Sequence, residues 1–412
     1  MIETTRFELS NGLRVVHNHD RNTAMVAVNV LYNVGARDED GDLTGLAHLF
    51  EHLMFGGSVN IPDFDGAIER AGGKNNAWTS NDFTNFYDVV PAQNAETAFW
   101  LESDRMLSPS FSERSLEVQR SVVTEEFKQQ CLNRPYGDLS HYLRKMAYTV
   151  HPYSWPVIGK SPEHIAKVTG EDTRDFFFSH YAPNNAVLAV SGNITAEETR
   201  RLAEKWFGDI PRREIRARDY GQEPVQTSPR HAEASGHVPQ TDITIAYPME
   251  GYGTKQYYCA DLLTDLMANG ESSIFYRELL METDLFTSVD ASIVGSEEPG
   301  LLMLNMRLRE NGADNERRAI ETVNAKVEDI MTRDFSERQL TRAINRMESA
   351  MTFNNVSYLS KAQALAMCEY HNEDINGAIS NYRVLTADDL REAARGIFRQ
   401  ERANTLIYRP AK

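Results

Sequence analysis

The sequence contains few cysteines. Among its 412 residues there are 3, Cys131, Cys259 and Cys368, which lie far apart and form no CxxC pair. A disulfide framework needs closely spaced cysteines in even number, and a thiolate zinc site needs paired ones. Both are therefore excluded, and the three side chains are expected to be small apolar residues of the core.

Long apolar segments are also missing. No run approaches the roughly 18 to 20 apolar residues that cross a bilayer, so no membrane span is expected. Residues 1–8 are polar and lack the charged-then-apolar pattern of a signal peptide. We therefore expect a cytoplasmic or periplasmic protein, with no signal peptide in this sequence.

Basic residues are outnumbered by acidic ones. The chain has 43 Lys+Arg against 60 Asp+Glu, a formal net charge of −17. Nucleic acids and anionic membranes need a basic surface, so neither is expected as the main partner. The remaining composition, 41% hydrophobic and 25% charged, is typical of a soluble globular protein. The length predicts two or three domains of roughly 150 residues each.

Strand and helix signals alternate near the start of the chain. Residues 7–9 and 13–16 flank an Asn11-Gly12 turn and predict a hairpin, and residues 25–32 (MVAVNVLY) predict a further strand. Residues 43–55 predict a helix with Thr44 as its N-cap. No βαβ repeat with a glycine-rich turn follows, so we predict an α+β fold in which antiparallel-rich sheets are layered with helices.

Two segments resemble copies of one helix–strand unit. Residues 168–190 and 385–408 each begin with a Thr N-cap and acidic first-turn residues, and each leads into an apolar strand. They are offset by 217 residues, about half the chain. Residues 211–229 carry three prolines and few apolar residues, as linkers do. We therefore predict two homologous domains, 1–212 and 230–412, joined by a linker at 213–229, with a metal site only in the first.

The most informative motif is His48-Leu49-Phe50-Glu51-His52. On a helix, His48 and His52 are four residues apart, so both imidazoles project from one face and can bind one metal ion. Glu51 lies beside that face, where it can reach a water on the metal without being a ligand. This is the HxxEH order, and two imidazoles with one carboxylate suit a catalytic zinc site. A pattern of five residues also arises by chance, so a third ligand is required.

A carboxylate on the helix predicted for residues 112–130 is the best candidate for that ligand. At about 100° per residue, the apolar residues of this helix define a core-facing direction: Leu116, Val118, Val122, Val123 and Phe127. Glu126 lies roughly 40° from that direction and Glu125 roughly 140° away. A carboxylate near the apolar face must be paired or coordinated, which favours Glu126. His17 and His19 are weaker candidates, because scattered histidines are more often structural.

Several motifs in the first half occur in the order and spacing of a known family. HxxEH is followed by Gly56-Gly57-Ser58, by residues 73–87 (GKNNAWTSNDFTNFY), by Val122–Glu126 (VVTEE) and by residues 180–184 (HYAPN). This pattern resembles the pitrilysin family of metallopeptidases, which includes insulin-degrading enzyme and the mitochondrial processing peptidases. The resemblance implies a pitrilysin-like fold and a zinc endopeptidase with one Zn²⁺ per chain, bound by His48, His52 and Glu126.

In that family the water is activated by the residue matching Glu51 as general base, which accords with the chemistry of zinc hydrolases. The resemblance also implies that a peptide substrate binds as an added strand at Asn76-Ala77. A second glutamate, seven residues before the ligand glutamate, is usual in the family. Here that position is Gln119, which can orient a ligand by hydrogen bonding but supplies no charge.

A larger departure lies in the second half. Active family members carry an Arg and a Tyr there, seven residues apart, that bind substrate and stabilise the oxyanion; the matching positions here are Leu280 and Thr287. We therefore expect a heterodimer in which a homologous subunit supplies the Arg/Tyr pair, with a homodimer less favoured. The alternatives are a non-catalytic scaffold of the same fold, and a peptide-binding subunit with structural zinc.

Overall fold

The computed structural model of the protein describes residues 1–216, 218–295 and 297–411. Ala217 of the expected linker, and Ser296 and Lys412 of the expected second domain, lie outside these described residues. The chain forms two compact units. The first unit contains residues 1–127, 155–220 and 350–378, and the second contains residues 128–154, 221–349 and 379–411.

The strands and helices are numbered in chain order. The strands are β1 Thr5–Glu8, β2 Arg14–His19, β3 Met25–Tyr32, β4 Lys74–Thr79, β5 Thr84–Pro91, β6 Ala186–Gly192, β7 Arg230–Gly236, β8 Asp242–Pro248, β9 Phe286–Val294, β10 Leu301–Leu308 and β11 Asn404–Pro410. The helices are α1 Leu46–Leu53, α2 Phe64–Arg70, α3 Ala95–Leu107, α4 Glu113–Phe127, α5 Leu139–Ala147, α6 Pro162–Lys167, α7 Gly170–His180, α8 Ala196–Phe207, α9 Lys255–Ala268, α10 Ala313–Thr332, α11 Glu337–Asn354, α12 Tyr358–Tyr370, α13 Ser380–Arg383 and α14 Ala387–Ile397. Among the described residues, none of these helices has the length and apolarity needed to cross a membrane.

The first unit is built on a sheet with the strand order β1-β2-β6-β3-β5-β4. Only β2 and β6 are parallel neighbours, and every other pair in this sheet is antiparallel. The β1–β2 pair is the hairpin predicted around Asn11-Gly12. Side chains alternate between two apolar clusters: Val15 packs into the main core and Val16 into a smaller cluster on the other face. With both faces covered, β3 is buried along almost its whole length.

The second unit repeats this arrangement. Its sheet has the order β7-β11-β8-β10-β9, with one parallel pair, β7–β11, in the position that β2–β6 holds in the first. The two helix starts predicted from the sequence match as well, because Thr169 of α7 and Thr386 of α14 both form capping boxes. The predicted fold of two layered, antiparallel-rich α/β domains is confirmed.

The compact units do not coincide with the sequence ranges 1–212 and 230–412. Residues 128–154, from the first half, belong to the second unit, where α5 packs on β7 and β11. Residues 350–378, from the second half, belong to the first unit, where α12 packs on β2, β3 and β6. Each sheet therefore receives a covering helix from the other half of the chain. A division of the sequence into two uninterrupted domains stays a prediction.

Helix α1 lies on the main core of the first unit. Its apolar residues Leu46, Ala47, Leu49, Phe50 and Leu53 are buried, which leaves His48, Glu51 and His52 on the partly open side. The prediction that Thr44 caps this helix is wrong, since Gly45 holds the N-cap position. The Thr44 hydroxyl instead contacts His164 Nδ1 at 3.0 Å and accepts a hydrogen bond from Lys160 N at 2.8 Å.

Candidate metal centre

The two histidines of α1 project side by side. Their ring centroids are 4.9 Å apart, as expected for positions i and i+4 of a helix. Both Nε2 atoms face one carboxylate oxygen of α4: Glu126 Oε2 lies 3.3 Å from His52 Nε2 and 3.7 Å from His48 Nε2. One ligand atom from each of the three residues lies within 4.8 Å of the other two, and no other such group of His, Cys, Asp or Glu occurs among the described residues.

Helix α4 presents Glu126 to this site because the adjacent face of the helix packs on the core. Leu116, Val123 and Phe127 are buried, whereas Glu125 is exposed. The predicted core face was too wide, since Val118 and Val122 are 49% and 44% exposed. The narrower apolar face still leaves Glu126 beside the core and Glu125 on the solvent side.

The electrostatics of the site reflect burial and close pairing. Burial lowers the pKa of His48 to about 4, against the opposing charge of Glu126. The hydrogen bond with His52 lowers the pKa of Glu126. A neutral imidazole and an ionised carboxylate are the protonation states in which these groups bind metal.

Glu51 is held from the adjacent edge strand. Thr79 Oγ1, at the end of β4, donates to Glu51 Oε2 at 2.5 Å. Burial raises the pKa of Glu51, and the hydrogen bond from Thr79 opposes that rise. The hydroxyl fixes one carboxylate oxygen and so orients the other. Sequence reasoning missed Thr79; the only signal was its position three residues after Asn76 in the strand expected to bind substrate.

Asn76 and Ala77 lie on β4, the edge strand of the first sheet. Asn76 pairs with Tyr87 and Ala77 with Phe86, so the opposite side of β4 has no partner strand among the described residues. The side-chain Oδ1 of Asn76 accepts a hydrogen bond from Ala77 N at 2.9 Å. The edge of β4 is thus open, and the Ala77 amide is hydrogen-bonded to the side chain of the preceding residue.

The donor set suits zinc. Two imidazole nitrogens and one carboxylate oxygen converge, and no further His, Cys, Asp or Glu completes the group in the described part of the chain. Such a three-ligand set leaves the fourth position for water or substrate, as in catalytic rather than structural zinc sites. His48 Nδ1 is buried and lacks a hydrogen-bond partner within the described residues. Gln119 lies two turns before Glu126 on α4 and is partly buried; its proposed effect on the ligands stays a prediction.

The sequence repeat puts other residues at the matching positions of the second half. The residues 217 positions after His48 and His52 are Asp265 and Asn269, at the end of α9. Arg346 lies 3.2 Å from the Asp265 carboxylate and donates to Asn269 O and Oδ1 at 2.7 Å each. A guanidinium therefore pairs with the carboxylate at a sequence position that matches a candidate ligand of the first half.

The two positions expected to carry an Arg and a Tyr also lie in the second unit. Leu280 ends a short π-helix at Tyr276–Leu280 and is partly buried. Thr287 is exposed on the edge strand β9, where its hydroxyl donates to Gln240 Oε1 at 3.3 Å. Leucine has no hydrogen-bond donor in its side chain and threonine has only a short one.

Comparison with known proteins shows a single family along most of the chain. Residues 14–160 match the family model described as "Insulinase (Peptidase family M16)", and residues 167–347 match that described as "Peptidase M16 inactive domain". The second description applies to the half of the chain that carries Arg346 in place of a metal ligand set.

Individual relatives agree with this assignment. The chain is 26% identical over 415 residues to "Zinc protease PqqE" of Helicobacter pylori, covering 98% of this chain and 92% of that protein. It is similar over its full length to the crystal structure of a protease from Helicobacter pylori, with a TM-score of 0.91 and 26% identity. It also has the fold of the periplasmic protease PqqL from Escherichia coli, with a TM-score of 0.81 and 18% identity, over 99% of this chain and 48% of that one.

Proposed function

Because this chain belongs to peptidase family M16, we propose that it is a zinc-dependent endopeptidase subunit that hydrolyses peptides or short unfolded polypeptides. The observation that carries the proposal is the convergence of His48, His52 and Glu126 within 4.8 Å, with Glu51 on the same helix. The similarity to a relative named zinc protease supports the choice of metal and reaction.

In this proposal His48, His52 and Glu126 hold the metal, and Glu51 is the general base. Bound zinc supplies a Lewis acid that acidifies water and polarises the scissile carbonyl. Glu51 takes the proton of the attacking water and passes it to the leaving amine. The Glu51 side chain is partly buried, and Thr79 holds Oε2 so that Oε1 is free to receive that proton.

The proposed substrate-binding element is the open edge of β4. An extended peptide adds to such an edge through backbone hydrogen bonds, which impose little sequence requirement. Asn76 would release the Ala77 amide when a substrate carbonyl takes its place. Thr79, three residues along the strand, connects this edge to Glu51 and so brings a bound peptide next to the base.

A homologous partner subunit completes the site in this proposal. Leu280 and Thr287 provide no cationic or phenolic donor for the developing oxyanion, and a second copy of the same chain would provide none either. A heterodimer with a chain that carries the Arg/Tyr pair resolves this. The PqqL chain, of which this one matches 48%, is long enough to hold two chains of this size.

The experiment compares the purified chain alone, the chain with a homologous subunit that has the Arg/Tyr pair, and the double variant Leu280→Arg/Thr287→Tyr. We expect stoichiometric zinc in all three, weak peptide cleavage by the chain alone and strong cleavage with the partner. Full activity of the chain alone would refute the need for a partner. Zinc binding with no cleavage in any combination would instead favour a non-catalytic, peptide-binding subunit.

A further inference from the structure

Helix α1, which carries the HxxEH motif, does not cap its own N-terminus. It has eight residues, and its N-cap, Gly45, has φ 88° and no side chain with which to accept a hydrogen bond. The first amides of a helix have no partner within the helix and need an external acceptor when buried. A side chain at position 45 is also disfavoured by space, since a Cβ there would lie 2.9 Å from the backbone oxygen of Ile158 and 2.5 Å from Ile165 Cδ1.

The missing acceptor is supplied from outside the helix by Glu39. Its Oε2 accepts from Gly45 N at 2.9 Å and its Oε1 accepts from Ala47 N at 2.8 Å. Trp155 Nε1 donates to the same carboxylate at 3.0 Å. Glu39 is 7% exposed, so this carboxylate bridges buried donors rather than solvent.

The charge of Glu39 matches its position. A negative group at a helix N-terminus is stabilised by the helix dipole and by the free amides. Burial raises the pKa of the Glu39 carboxyl to about 8, and the three N–H donors oppose that rise. Both oxygens face N–H donors, so the hydrogen bonds to the helix start favour the ionised form while burial favours the protonated one.

The loop that carries Glu39 is attached to the end of the edge strand β4. Ala36 N donates to Ser80 O at 3.1 Å, and Arg37 N donates to Asn81 O at 2.9 Å. The Arg37 guanidinium forms a buried ion pair with Asp82 at 2.7 Å. The position of Glu39 is therefore fixed relative to β4, which also supplies the hydroxyl that holds Glu51.

We propose that Glu39 is a positioning residue for the metal site, which sets the rotation and axial placement of α1 and thereby the convergence of the His48 and His52 Nε2 atoms on Glu126. Ala47, whose amide Glu39 holds, directly precedes His48 in the helix. A shift of the first turn would thus move that ligand directly. The inference rests on the proposed zinc site.

The variants separate positioning from general stability. Glu39→Gln keeps the side-chain size but replaces one acceptor oxygen with an NH₂ group that faces a donor. Trp155→Phe removes the indole N–H, which donates to this carboxylate and also to Ala36 O at 3.1 Å, and leaves Glu39 itself in place. Asp242→Asn is the matched control, because Asp242 is also buried and accepts hydrogen bonds, from Asn305 at 2.9 Å and Thr244 at 3.0 Å, but belongs to the second unit.

The measurements are the zinc dissociation constant by chelator competition and the visible spectrum of the Co²⁺-substituted protein. We expect Glu39→Gln to weaken zinc binding about 10- to 100-fold, as removal of partners that orient ligands does, and to shift the Co²⁺ bands. Trp155→Phe should do so less, and Asp242→Asn not at all. Wild-type affinity and an unchanged spectrum in Glu39→Gln, or in Trp155→Phe if the first variant does not fold, would overturn the inference. A wild-type chain that binds neither metal would instead contradict the proposed function.

Discussion

Arg105 offers a quantitative test of how helix α1, which carries the candidate metal ligands His48 and His52, is held at its C-terminus. Its guanidinium is 1% exposed and lies 3.1 Å from the Glu102 carboxylate. It donates to Met54 O, the C-cap of α1, at 3.2 Å. The rings of three phenylalanines surround it, each 4.7 Å from the guanidinium carbon: Phe55, Phe64 and Phe86.

Replacing Arg105 by Met keeps much of the volume but leaves Glu102 without its buried cation. Breaking a buried pair in this way costs about 3–5 kcal/mol. The assay is urea unfolding followed by tryptophan fluorescence, which reports the first unit because all 4 tryptophans lie in it. Glu102→Gln/Arg105→Met should recover part of the loss, because it removes the orphaned charge.

The loss should also depend on pH. Burial raises the pKa of Glu102 and of Asp88, and Arg105 lowers both against that burial. Both pKa values are raised even with Arg105 present, and its loss raises them further, so the folded variant keeps a proton that the unfolded chain releases above its ordinary carboxyl pKa of about 4. The stability of Arg105→Met should therefore fall from pH 5 to pH 7 more steeply than that of wild type, with a limit of about 1.36 kcal/mol per pH unit and group. If Arg105→Met lost less than about 1 kcal/mol of unfolding free energy relative to wild type at pH 7, or lost the same amount at pH 5 and pH 7, the proposed role of Arg105 would be wrong.

Three further predictions follow from the same contacts. Glu126→Gln should weaken zinc binding by more than about 100-fold, since it alters a ligand rather than a residue that orients one. Glu125→Gln, at the exposed neighbouring position, is its control. Equal zinc affinities of the two variants would contradict the assignment of Glu126 as a ligand. Thr79→Val should lower kcat of the active assembly about 10- to 100-fold, because a hydrogen bond to a charged group contributes about 1.5–3 kcal/mol. Its zinc affinity should stay the same. Thr79→Ser should restore kcat, and failure to do so would argue against orientation of Glu51 by the hydroxyl. Burial lowers the pKa of His180, so its imidazole stays neutral in the folded state at pH values where the unfolded chain takes up a proton. The free energy of unfolding should therefore fall below about pH 6.5, by up to about 1.36 kcal/mol per pH unit. If a His180→Gln variant keeps the same slope of stability against pH, other groups cause the fall.

The sequence was most informative where one element determined the geometry. His48 and His52 share a helix, so their spacing alone predicted that the rings would meet. Glu126 followed from the apolar face of α4, although two of the five residues used to define that face proved exposed. The duplication was visible because Thr169 and Thr386 repeat a local capping signal that depends only on neighbouring residues.

Features that depend on distant segments could not be predicted in the same way. Helices α5 and α12 each cover a sheet that is built mainly from the other half of the chain. No local sequence pattern predicts which sheet a helix will cover. Thr44 has the preferred chemistry of an N-cap, yet Glu39 takes that role because the chain folds back over the helix start. Thr79 lies on β4 but contacts helix α1, and only the packing of that helix against the strand brings its hydroxyl to Glu51.

The most direct test of the central claim is a comparison of wild type and Glu51→Gln, each assembled with an Arg/Tyr-bearing homologous subunit. Bound zinc and the cleavage rate of an unstructured peptide are measured on the same samples. We expect equal zinc content, since Glu51 is not a ligand, and a loss of cleavage in Glu51→Gln. Unchanged cleavage with zinc retained would contradict the role of Glu51 as general base and, with it, the proposed mechanism.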